Sequence, residues 1–474
     1  MTQEYRYLVD GEWKSSAERV EVTNPYNGEV VGITYGADDG DIAGAVRTSL
    51  KTFETTRALP AYGRAEILDR VVNGITERTE EIALTITAES GKPIADARGE
   101  VKRAVSTFQL ALEEAKRLGG EVIPLDIMAG SEKRTGIVRR FPIGPILAIT
   151  PFNFPLNLVA HKVAPAMAAG NTILLKPSPR TPLTSLILGE IITEAGWPAG
   201  GLNVFLCSNR QTEALVRDER IAMVTFTGSA SVGWRLKEMA GRKRVALELG
   251  GNAGVIVHDD ADIDFAMKRC VAGAFSFSGQ VCISVQRIYV QREVYSDFVE
   301  RFLEAVGRIQ IGDPMDESTG MGPLIDEAAA VKTEEWVNEA VEGGAKLLTG
   351  GKRMGSFFEP TVLTGAKPGM RVSCEEAFAP LVTVEPYDAF EDAVELINDS
   401  PYGLHAGLFT SDIKRIFYAY DRLDVGGVVA NDVPTYRVDN MPYGGIKMSG
   451  FGREGVRYAM EEMTDPKLLV LNLL

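Results

Sequence analysis

Apolar residues recur at three- and four-residue steps through the first quarter of the chain, a spacing that predicts amphipathic helices. Before these helices, two short apolar runs, Tyr7–Val9 and the pair Glu12 and Trp13, flank the turn at Asp10 and Gly11 and predict a β-hairpin. The helices are expected over residues 41–53, 62–89 and 94–118, the last ending at Gly119 and Gly120.

After Gly136 the pattern changes to short, mostly apolar runs that alternate with helical stretches. The runs predict strands over residues 137–140, 146–149, 172–175, 202–205 and 223–226, and then 255–257, 288–290 and 382–384, with helices over 159–169, 184–195 and 232–240. Of these strands, those over 146–149 and 172–175 are expected to be buried. Strands alternating with helices indicate doubly wound parallel sheets. Because there are two series and no low-complexity linker, we expect two tightly packed α/β units.

Composition narrows the class of protein. With 474 residues, 45% of them hydrophobic and 24% charged, the chain suits a globular protein of two or three domains. A net charge of -15 gives no basic footprint for nucleic acid or an anionic membrane. No apolar run approaches the roughly 20 residues of a membrane span, and the first ten residues lack a signal-peptide core.

The cysteines and histidines indicate neither disulfides nor a metal site. The four cysteines, at positions 207, 270, 282 and 374, are far apart and form no zinc-binding spacing, and the three histidines are scattered. In a chain of this length that usage is typical of free thiols in a reducing compartment. We therefore expect a cytoplasmic protein without a bound metal.

Two motifs follow predicted strands at the edge where parallel sheets bind ligands. Gly228 and Ser229 follow the strand that ends near Phe226 and open a helix, so their backbone amides could approach an anion such as pyrophosphate. The usual GxGxxG spacing is absent, so an ordinary glycine turn stays an alternative. Asn153 stands in Thr150-Pro151-Phe152-Asn153-Phe154-Pro155, where flanking prolines could aim its amide as an oxyanion donor or simply bound a turn.

Two further motifs carry a carboxylate and a thiol. Glu248 lies among apolar residues beside Gly250 and Gly251, where burial would raise its pKa and suit it to general-base work, unless it reaches solvent at a strand end. Cys282 follows a run of small residues and precedes a strand. A thiolate is a strong nucleophile, whereas most single cysteines are small core residues.

In this order, the four motifs resemble those of the aldehyde dehydrogenase superfamily. Further matches run through nearly the whole chain: Glu89-Ser90-Gly91-Lys92-Pro93, Leu175-Lys176-Pro177-Ser178, Glu375-Glu376-Ala377-Phe378-Ala379-Pro380 and Pro442-Tyr443-Gly444-Gly445-Ile446-Lys447-Met448-Ser449-Gly450. The resemblance implies an α/β fold of two doubly wound parallel-sheet domains with a β oligomerisation arm.

The resemblance also implies domain limits and an assembly. Residues 1–118 and 137–246 would bind the cofactor, residues 247–437 would form the catalytic domain, and residues 119–136 and 455–474 would form the arm. The tail from Lys467 to Leu474 is apolar and strand-like, a poor sequence to leave exposed. It would pair with a neighbouring subunit in a homodimer or homotetramer.

The family's chemistry falls on three residues of this chain. By resemblance, Cys282 adds to the aldehyde, and the amide of Asn153 stabilises the oxyanion together with the Cys282 N–H group. Hydride then passes to a nicotinamide cofactor, and Glu248 activates the water that hydrolyses the thioester. Members that transfer the acyl group to coenzyme A generally lack a base at the Glu248 position, so water is the expected acceptor. A coenzyme A-acylating enzyme and a retired, non-catalytic protein of the same fold are the alternatives.

The resemblance assigns the cofactor, NAD or NADP, to a defined set of residues. Lys176 would contact the adenosine ribose, Glu376 the nicotinamide ribose, and Phe378 the ring. The remaining residues of this set are Ile149, Thr150, Phe152, Ser178, Pro179, Gly228, Ser229, Val232 and Leu249. Many NAD-preferring members carry Glu where this chain has Pro179, so tolerance of NADP is expected, with Arg180 available to attract its 2′-phosphate.

The segments 157–162 and 434–442 resemble those of lactaldehyde, non-phosphorylating glyceraldehyde-3-phosphate and phosphonoacetaldehyde dehydrogenases. That likeness draws Arg103, His161 and Arg437 towards the tail of a small polar or anionic aldehyde. Alternatively, Arg103 pairs with Glu100 on its helix, Arg437 pairs with Asp439 or another subunit, and His161 caps a packed helix. Phosphate-handling relatives often have Arg where this chain has Val281, which favours lactaldehyde, glyceraldehyde or a short semialdehyde.

Overall fold

The computed structural model describes residues 3–472. The strands are β1 Tyr7–Val9, β2 Glu12–Lys14, β3 Arg19–Thr23, β4 Val30–Tyr35, β5 Gly120–Pro124, β6 Arg134–Pro142, β7 Ile146–Ile149, β8 Ile173–Lys176, β9 Leu202–Val204, β10 Met223–Thr227, β11 Arg244–Glu248, β12 Ala253–Val257, β13 Val285–Gln291, β14 Lys346–Thr349, β15 Arg353–Met354, β16 Phe357–Phe358, β17 Thr361–Thr364, β18 Leu381–Tyr387, β19 Tyr402–Gly403, β20 His405–Phe409, β21 Gly427–Ala430, β22 Ile446–Lys447, β23 Gly450–Phe451 and β24 Thr464–Asn472.

Helices connect and cover these strands. They are α1 Asp39–Ala58, α2 Ala61–Glu77, α3 Thr79–Ser90, α4 Ile94–Arg117, α5 Asn157–Ala169, α6 Leu183–Glu194, α7 Asn209–Arg217, α8 Ala230–Met239, α9 Ile263–Phe275, α10 Arg292–Val306, α11 Glu327–Glu342, α12 Arg371–Cys374, α13 Phe390–Asn398, α14 Ile413–Arg422 and α15 Val456–Glu462, with a 3-10 turn at Ser276–Gly279. Within the part of the chain that the structure describes, no helix is both long and apolar enough to cross a bilayer.

The first large sheet has the order β2-β1-β9-β8-β7-β10-β11-β23. Strand β7 pairs in parallel with β8 on one side and with β10 on the other, so the chain reverses its direction of winding between β7 and β10. Ligands of open α/β sheets bind outside the carboxyl ends of the strands at such a switch point. The loop that carries Asn153 leaves β7 there, and the turn at Gly228 leaves β10.

The second large sheet has the order β14-β17-β18-β13-β12-β20-β21, and its strands are parallel except for β14. Its first strand, β12, begins five residues after Glu248, the last residue of β11. Cys282 and Glu376 precede β13 and β18, so both stand at the amino edge of this sheet. The carboxyl edge of the first sheet therefore meets the amino edge of the second, and the predicted doubly wound α/β class is confirmed.

A three-stranded antiparallel sheet of order β24-β6-β5 lies where the arm is expected, although β6 extends to Pro142, into residues assigned to the cofactor domain. Strand β24 pairs with β6 along its whole length, from Thr464 opposite Pro142 to Asn472 opposite Arg134. Its other edge has no partner within residues 3–472, and four successive apolar side chains are exposed along it. These are Leu468, Leu469, Val470 and Leu471. Residues 473 and 474, the end of the predicted tail strand, lie outside the described residues.

Three elements differ from the sequence prediction. The helix expected over 62–89 is two helices, α2 and α3, which break at Arg78. Both helices bury apolar faces in the same core, so the hydrophobic periodicity continues across the break and hides it. Strand β23 pairs with β11 and so extends the first sheet, and α15, inside the range predicted for the arm, packs on α4 and α5 of the first unit.

Candidate active site

A strained turn presents Cys282. Phe277, Ser278 and Gly279 all have left-handed backbone angles, with φ of 48°, 55° and 68°. Two successive non-glycine residues in this region carry a conformational cost that neighbouring contacts must offset. The Ser278 hydroxyl donates to the Gly322 carbonyl at 2.6 Å, which fixes the turn from behind. The chain is thereby held with Cys282 half-buried and facing a cavity.

Asn153 is tied to the same turn from the first sheet. Its Nδ2 donates to the Gln280 carbonyl at 2.8 Å, and Oδ1 is buried without a hydrogen-bond partner among residues 3–472. An amide group has two N–H bonds, so one remains available beside Cys282. The Cys282 N–H group makes no hydrogen bond to any described residue. Each of the two groups therefore keeps an N–H bond that no described residue accepts.

Glu248 is buried at the end of β11. Neither carboxylate oxygen has a hydrogen-bond partner in the described part of the chain. Burial, reinforced by the nearby carboxylate of Glu454, raises the pKa of Glu248 well above its ordinary value. A Cβ added to Gly444, whose φ is 152°, would lie 2.9 Å from Glu248 Oε1. The carboxylate thus packs against bare backbone.

The glycine pair after Glu248 lets three elements meet. The Gly251 N–H group donates to Glu376 Oε1 at 3.1 Å, and a Cβ on Gly250 would lie 2.2 Å from Glu376 Oε2. A Cβ on Gly251 would lie 2.4 Å from the Cys282 carbonyl oxygen. Any side chain at either glycine would therefore push Glu376 or the Cys282 segment away. Burial raises the pKa of Glu376 to about 7.

The crevice beside the switch point fits a dinucleotide. Helix α8 begins directly after Ser229, whose side chain makes no capping hydrogen bond, so its first amides are available to a pyrophosphate. Thr150 Oγ1 is buried without a partner within residues 3–472. The rings of Phe152 and Phe378 meet edge to face at 5.9 Å. The other predicted members of this part are Ile149, which ends β7, Gly228, whose N–H donates to the Glu248 carbonyl, the buried Leu249, and Val232, which is exposed.

The predicted adenosine end of the crevice lies at the end of β8. Lys176 closes this strand half-buried, and burial lowers its pKa. Ser178 is buried, and its hydroxyl accepts from the Arg180 N–H group at 3.2 Å. Pro179 is exposed and brings no carboxylate to this position. Arg180 is not free, because its guanidinium donates to Asp326 at 2.7 Å.

Cys282 opens into a cavity of about 360 Å³ whose lining includes Arg103, Val281 and Arg437. The Arg437 side chain is only 6% exposed, and its one carboxylate contact, to Glu454, is long at 3.4 Å. Its Nε has no hydrogen-bond partner among the described residues. Arg103 donates to Asp439 at 2.7 Å. It does not pair with Glu100, which was the alternative that the sequence left open.

His161 is not in this cavity. Its ring is fully buried, and Nε2 lies 2.9 Å from the same Asp439 oxygen that Arg103 contacts. Burial would raise the pKa of Asp439, but the hydrogen bond from His161 and the charge of Arg103 outweigh it and lower this pKa. The cavity lining therefore does not support the substrate-binding role predicted for His161, whose ring contacts Asp439 instead. Burial lowers the pKa of His161 as well.

The structure adds residues that we did not single out from the sequence. Tyr443 places its hydroxyl oxygen 3.0 Å from Cys282 Sγ. Glu454 receives a hydrogen bond from Lys162 Nζ at 2.9 Å, and Lys162 also donates to Thr225. Tyr443 and Glu454 are distant from Cys282 in sequence, and only the fold brings them near. Lys162 is the one charged residue of the mostly apolar helix α5. That is the sequence signal that would have pointed to the pair Lys162 and Glu454.

The fold, the dinucleotide crevice and the cysteine beside it define a nicotinamide-dependent oxidoreductase. Comparison with known proteins gives the family: the sequence model of the aldehyde dehydrogenase family matches residues 13–469. This chain belongs to the aldehyde dehydrogenase family, and it is an NAD(P)-dependent aldehyde dehydrogenase.

The relatives cover the full chain. A 3-sulfolactaldehyde dehydrogenase of Priestia megaterium is 44% identical over 472 residues, which cover 99% of this chain and 98% of the relative. The crystal structure of aldehyde dehydrogenase 21 from Physcomitrella patens, in complex with the reaction product succinate, matches with a TM-score of 0.98 and 45% identity, covering 100% and 99% of the two chains. That of glyceraldehyde-3-phosphate dehydrogenase GapN from Methanocaldococcus jannaschii, complexed with NADP, matches with a TM-score of 0.92 and 40% identity over 96% and 100%.

Proposed function

We propose that this enzyme oxidises a small aldehyde that carries an anionic group at its far end to the corresponding carboxylic acid. Arg437 carries the proposal. Its guanidinium is buried beside the cavity with one long carboxylate contact and an unpartnered Nε. A buried cation left with unmade hydrogen bonds is costly, and a carboxylate or sulfonate in the cavity would supply them. Arg103 also lines the cavity, although Asp439 already pairs with its guanidinium.

The relatives support an anionic substrate of this size. The Priestia enzyme is named for an aldehyde that bears a sulfonate. The Physcomitrella structure contains the reaction product succinate, which has two carboxylates, one formed by the oxidation and one already present in the aldehyde. In both compounds the anion lies a few bonds from the reacting carbon. Val281, beside the nucleophile, offers no charge to a phosphate. A short semialdehyde or a sulfonated lactaldehyde therefore suits this cavity better than a phosphorylated aldehyde.

The first half of the proposed reaction takes place on Cys282. Its thiolate adds to the carbonyl carbon, the S–C bond forms, and the carbonyl π electrons move to oxygen. Asn153 Nδ2 and the Cys282 N–H group donate hydrogen bonds to that oxyanion. The bound nicotinamide cofactor supplies the hydride acceptor. Loss of hydride leaves a thioester on Cys282.

The second half needs a base. Glu248 takes a proton from a water molecule, the water oxygen forms a bond to the thioester carbon, and the C–S bond breaks to release the acid and the thiol. Burial raises the pKa of Glu248, which makes the carboxylate a stronger base than a free one, and the same group can return the proton that it accepts. Coenzyme A as acceptor is the alternative, and assays with and without coenzyme A that identify the product distinguish the two.

We infer that NADP is accepted along with NAD. Pro179 removes the carboxylate that would repel a 2′-phosphate, and Lys176 stands nearby at the end of β8. The attraction suggested for Arg180 loses support, because Asp326 already engages it. NADP bound to the Methanocaldococcus relative is consistent with this inference.

We also infer that β24 forms a subunit interface in a homodimer or homotetramer. Its outer edge carries unpaired backbone groups and four exposed apolar side chains, a combination that invites pairing with another strand. The four cysteines are unpaired thiols, which suits the reducing cytoplasm expected from the sequence.

Replacement of Arg437 tests the substrate class. Arg437→Met should lower kcat/KM about 10- to 100-fold for succinate semialdehyde, since a charge-assisted hydrogen bond is worth roughly 1.5–3 kcal/mol. Arg437→Lys, the matched control, keeps the charge and should lose less. Butanal, a neutral aldehyde of similar length, should lose only the smaller factor that follows from the changed pKa of Cys282. An equal loss for butanal and for the semialdehyde would show that Arg437 does not bind the anion.

A further inference from the structure

We propose that the Tyr443 hydroxyl stabilises the Cys282 thiolate by donating a hydrogen bond to Sγ, which makes Tyr443 a further catalytic residue. The two atoms lie 3.0 Å apart, and Tyr443 is the one side chain among residues 3–472 that hydrogen-bonds to Cys282 Sγ. The inference rests on the proposed role of Cys282 as nucleophile. It concerns how that nucleophile becomes reactive, which the proposed reaction leaves open.

The position of the hydroxyl is fixed on every side. Tyr443 is 2% exposed, and its backbone exchanges two hydrogen bonds with Glu454, at 3.0 and 2.6 Å. The ring of His405 packs against it at 5.0 Å and an angle of 64°. Ile283 and Leu404 complete the small apolar cluster that holds the phenol beside Cys282. The contact with Sγ is therefore built into the packing and does not depend on a mobile side chain.

Cys282 needs such a donor because its other surroundings disfavour a negative charge. Burial raises the pKa of its thiol to about 11, and the carboxylates of Glu376 and Glu248 act in the same direction. The Tyr443 hydroxyl and the positive charge of Arg437 oppose that rise. In the neutral pair either atom can donate, but once the thiol has lost its proton to water only the phenol can. Burial raises the pKa of Tyr443, so the phenol keeps its proton while the thiol ionises.

Arg437 strengthens this donor. Its guanidinium carbon lies 3.6 Å from the centre of the Tyr443 ring, the geometry of a cation–π contact. A cation on the ring face draws electron density from the ring and makes the O–H group a better donor. Tyr443 is thus in contact with the proposed anion site through its ring and with the nucleophile through its hydroxyl.

The test is the titration of Cys282 in Tyr443→Phe, which removes one oxygen atom and keeps the ring. The rate of alkylation by iodoacetamide, measured against pH, reports the thiolate. Loss of a hydrogen bond to a charged group should raise the pKa of Cys282 by about one to two units. Below the pKa values of both proteins, alkylation of the variant should be about 10- to 100-fold slower. As the pH rises above the wild-type value, the ratio of the two rates should shrink, because the wild-type thiol is then already ionised while that of the variant is still losing its proton.

Two matched proteins isolate the effect. Tyr295→Phe removes a phenol that hydrogen-bonds to Thr364 and the Val384 carbonyl, remote from the cavity, and should leave the titration unchanged. Cys282→Ser gives the background from the other three cysteines. In addition, 3-fluorotyrosine at position 443, a more acidic phenol that keeps its O–H, should lower the pKa of Cys282. An unchanged or lowered pKa in Tyr443→Phe would overturn the proposal.

Aldehyde oxidation provides the second readout and separates the two hypotheses. In Tyr443→Phe, kcat/KM should fall at neutral pH and recover towards the wild-type value at high pH, a dependence that a purely structural defect would not produce. If Cys282→Ser still oxidised aldehydes, the proposed role of Cys282 as the nucleophile would be wrong, whatever Tyr443 does. If Cys282→Ser is inactive but Tyr443→Phe titrates and reacts like the wild type, only the role of Tyr443 is refuted.

Discussion

The buried pair Lys92 and Glu100 braces the active site, and breaking it gives the sharpest stability prediction. Both side chains are almost fully inaccessible and hydrogen-bonded to each other. The other Glu100 oxygen accepts from the backbone of Leu156 and Asn157, at 2.9 and 3.0 Å, and so caps α5. Lys92 Nζ lies 3.8 Å from the ring centre of Phe154, next to Asn153, and 4.6 Å from that of Phe277, in the turn before Cys282.

Glu100→Gln keeps the shape of the side chain but leaves the Lys92 ammonium buried without a counter-charge. Burial lowers the pKa of Lys92, and loss of the neighbouring carboxylate lowers it further, with Asp96 and Arg103 acting on it in opposite directions. If Lys92 of the variant releases its proton, the loss of folding stability has an upper limit at a given pH. At about pH 7.5, which is three units below the ordinary lysine pKa of 10.5, that limit is about 4 kcal/mol, since each unit corresponds to about 1.36 kcal/mol. That limit agrees with the roughly 3–5 kcal/mol seen when one partner of a buried ion pair is removed.

The sign of the pH dependence distinguishes this cause from a loss of packing. In the unfolded chain Lys92 still binds its proton up to about pH 10.5, so between the lowered folded pKa and that value the unfolded state holds more protons. Stability of the variant should therefore rise with pH, by up to about 1.4 kcal/mol for each pH unit, over the interval between its lowered folded pKa and that of the unfolded chain.

Urea unfolding followed by tryptophan fluorescence at several pH values measures this deficit. Lys92→Met combined with Glu100→Gln is the control, because it removes the group that titrates and should abolish the pH dependence. A deficit in Glu100→Gln that stays constant from neutral to alkaline pH would refute the reasoning, since it would mean that the loss arises from the α5 cap and not from the buried charge.

Three further predictions concern chemistry, cofactor and assembly. Glu248→Gln should release one burst of reduced cofactor and then turn over about 10²- to 10⁴-fold more slowly than the wild type. The wild-type kcat should fall as the pH drops through the raised pKa of Glu248, because only the ionised carboxylate accepts a proton. An unchanged steady-state rate in Glu248→Gln would show that Glu248 is not the base. Pro179→Glu should lower kcat/KM for NADP relative to NAD by about tenfold or more through repulsion of the 2′-phosphate, whereas an unaltered ratio would place that phosphate elsewhere. Leu469→Asp, at a side chain 53% exposed on β24, should reduce the mass measured by analytical ultracentrifugation, and the same mass as the wild type would exclude this strand from the interface.

The alternation of apolar runs and helices predicted the two doubly wound sheets because most of the central strands contain a run of three to five mostly apolar residues. The same reasoning missed the break between α2 and α3 at Arg78. Both helices pack on the same core, so the spacing of their apolar residues continues across a one-residue interruption and does not reveal it. Pairings such as β23 with β11 were also beyond it, because the two residues of β23 are too few to carry a period.

The candidate site divides in a similar way. Cys282, Glu248 and Asn153 stand in local motifs that mark them in the sequence, and the fold gathers them around one crevice. Arg103, Arg437 and His161 could not be separated by sequence, because their roles depend on which carboxylate each one meets. Asp439 hydrogen-bonds to Arg103 and His161. Glu454 hydrogen-bonds to Lys162 and makes only a long contact, of 3.4 Å, with Arg437.

That division of partners links recognition of the substrate to reactivity of the thiol. If Asp439 held Arg437, the guanidinium would be saturated by the protein and drawn off the Tyr443 ring. Instead Arg437 faces the cavity and lies on a phenol that contacts Cys282. A substitution at Arg437 should therefore change two quantities together, the preference for anionic aldehydes and the pKa of Cys282. Tyr443→Phe should change only the second, because the phenyl ring still supports the guanidinium.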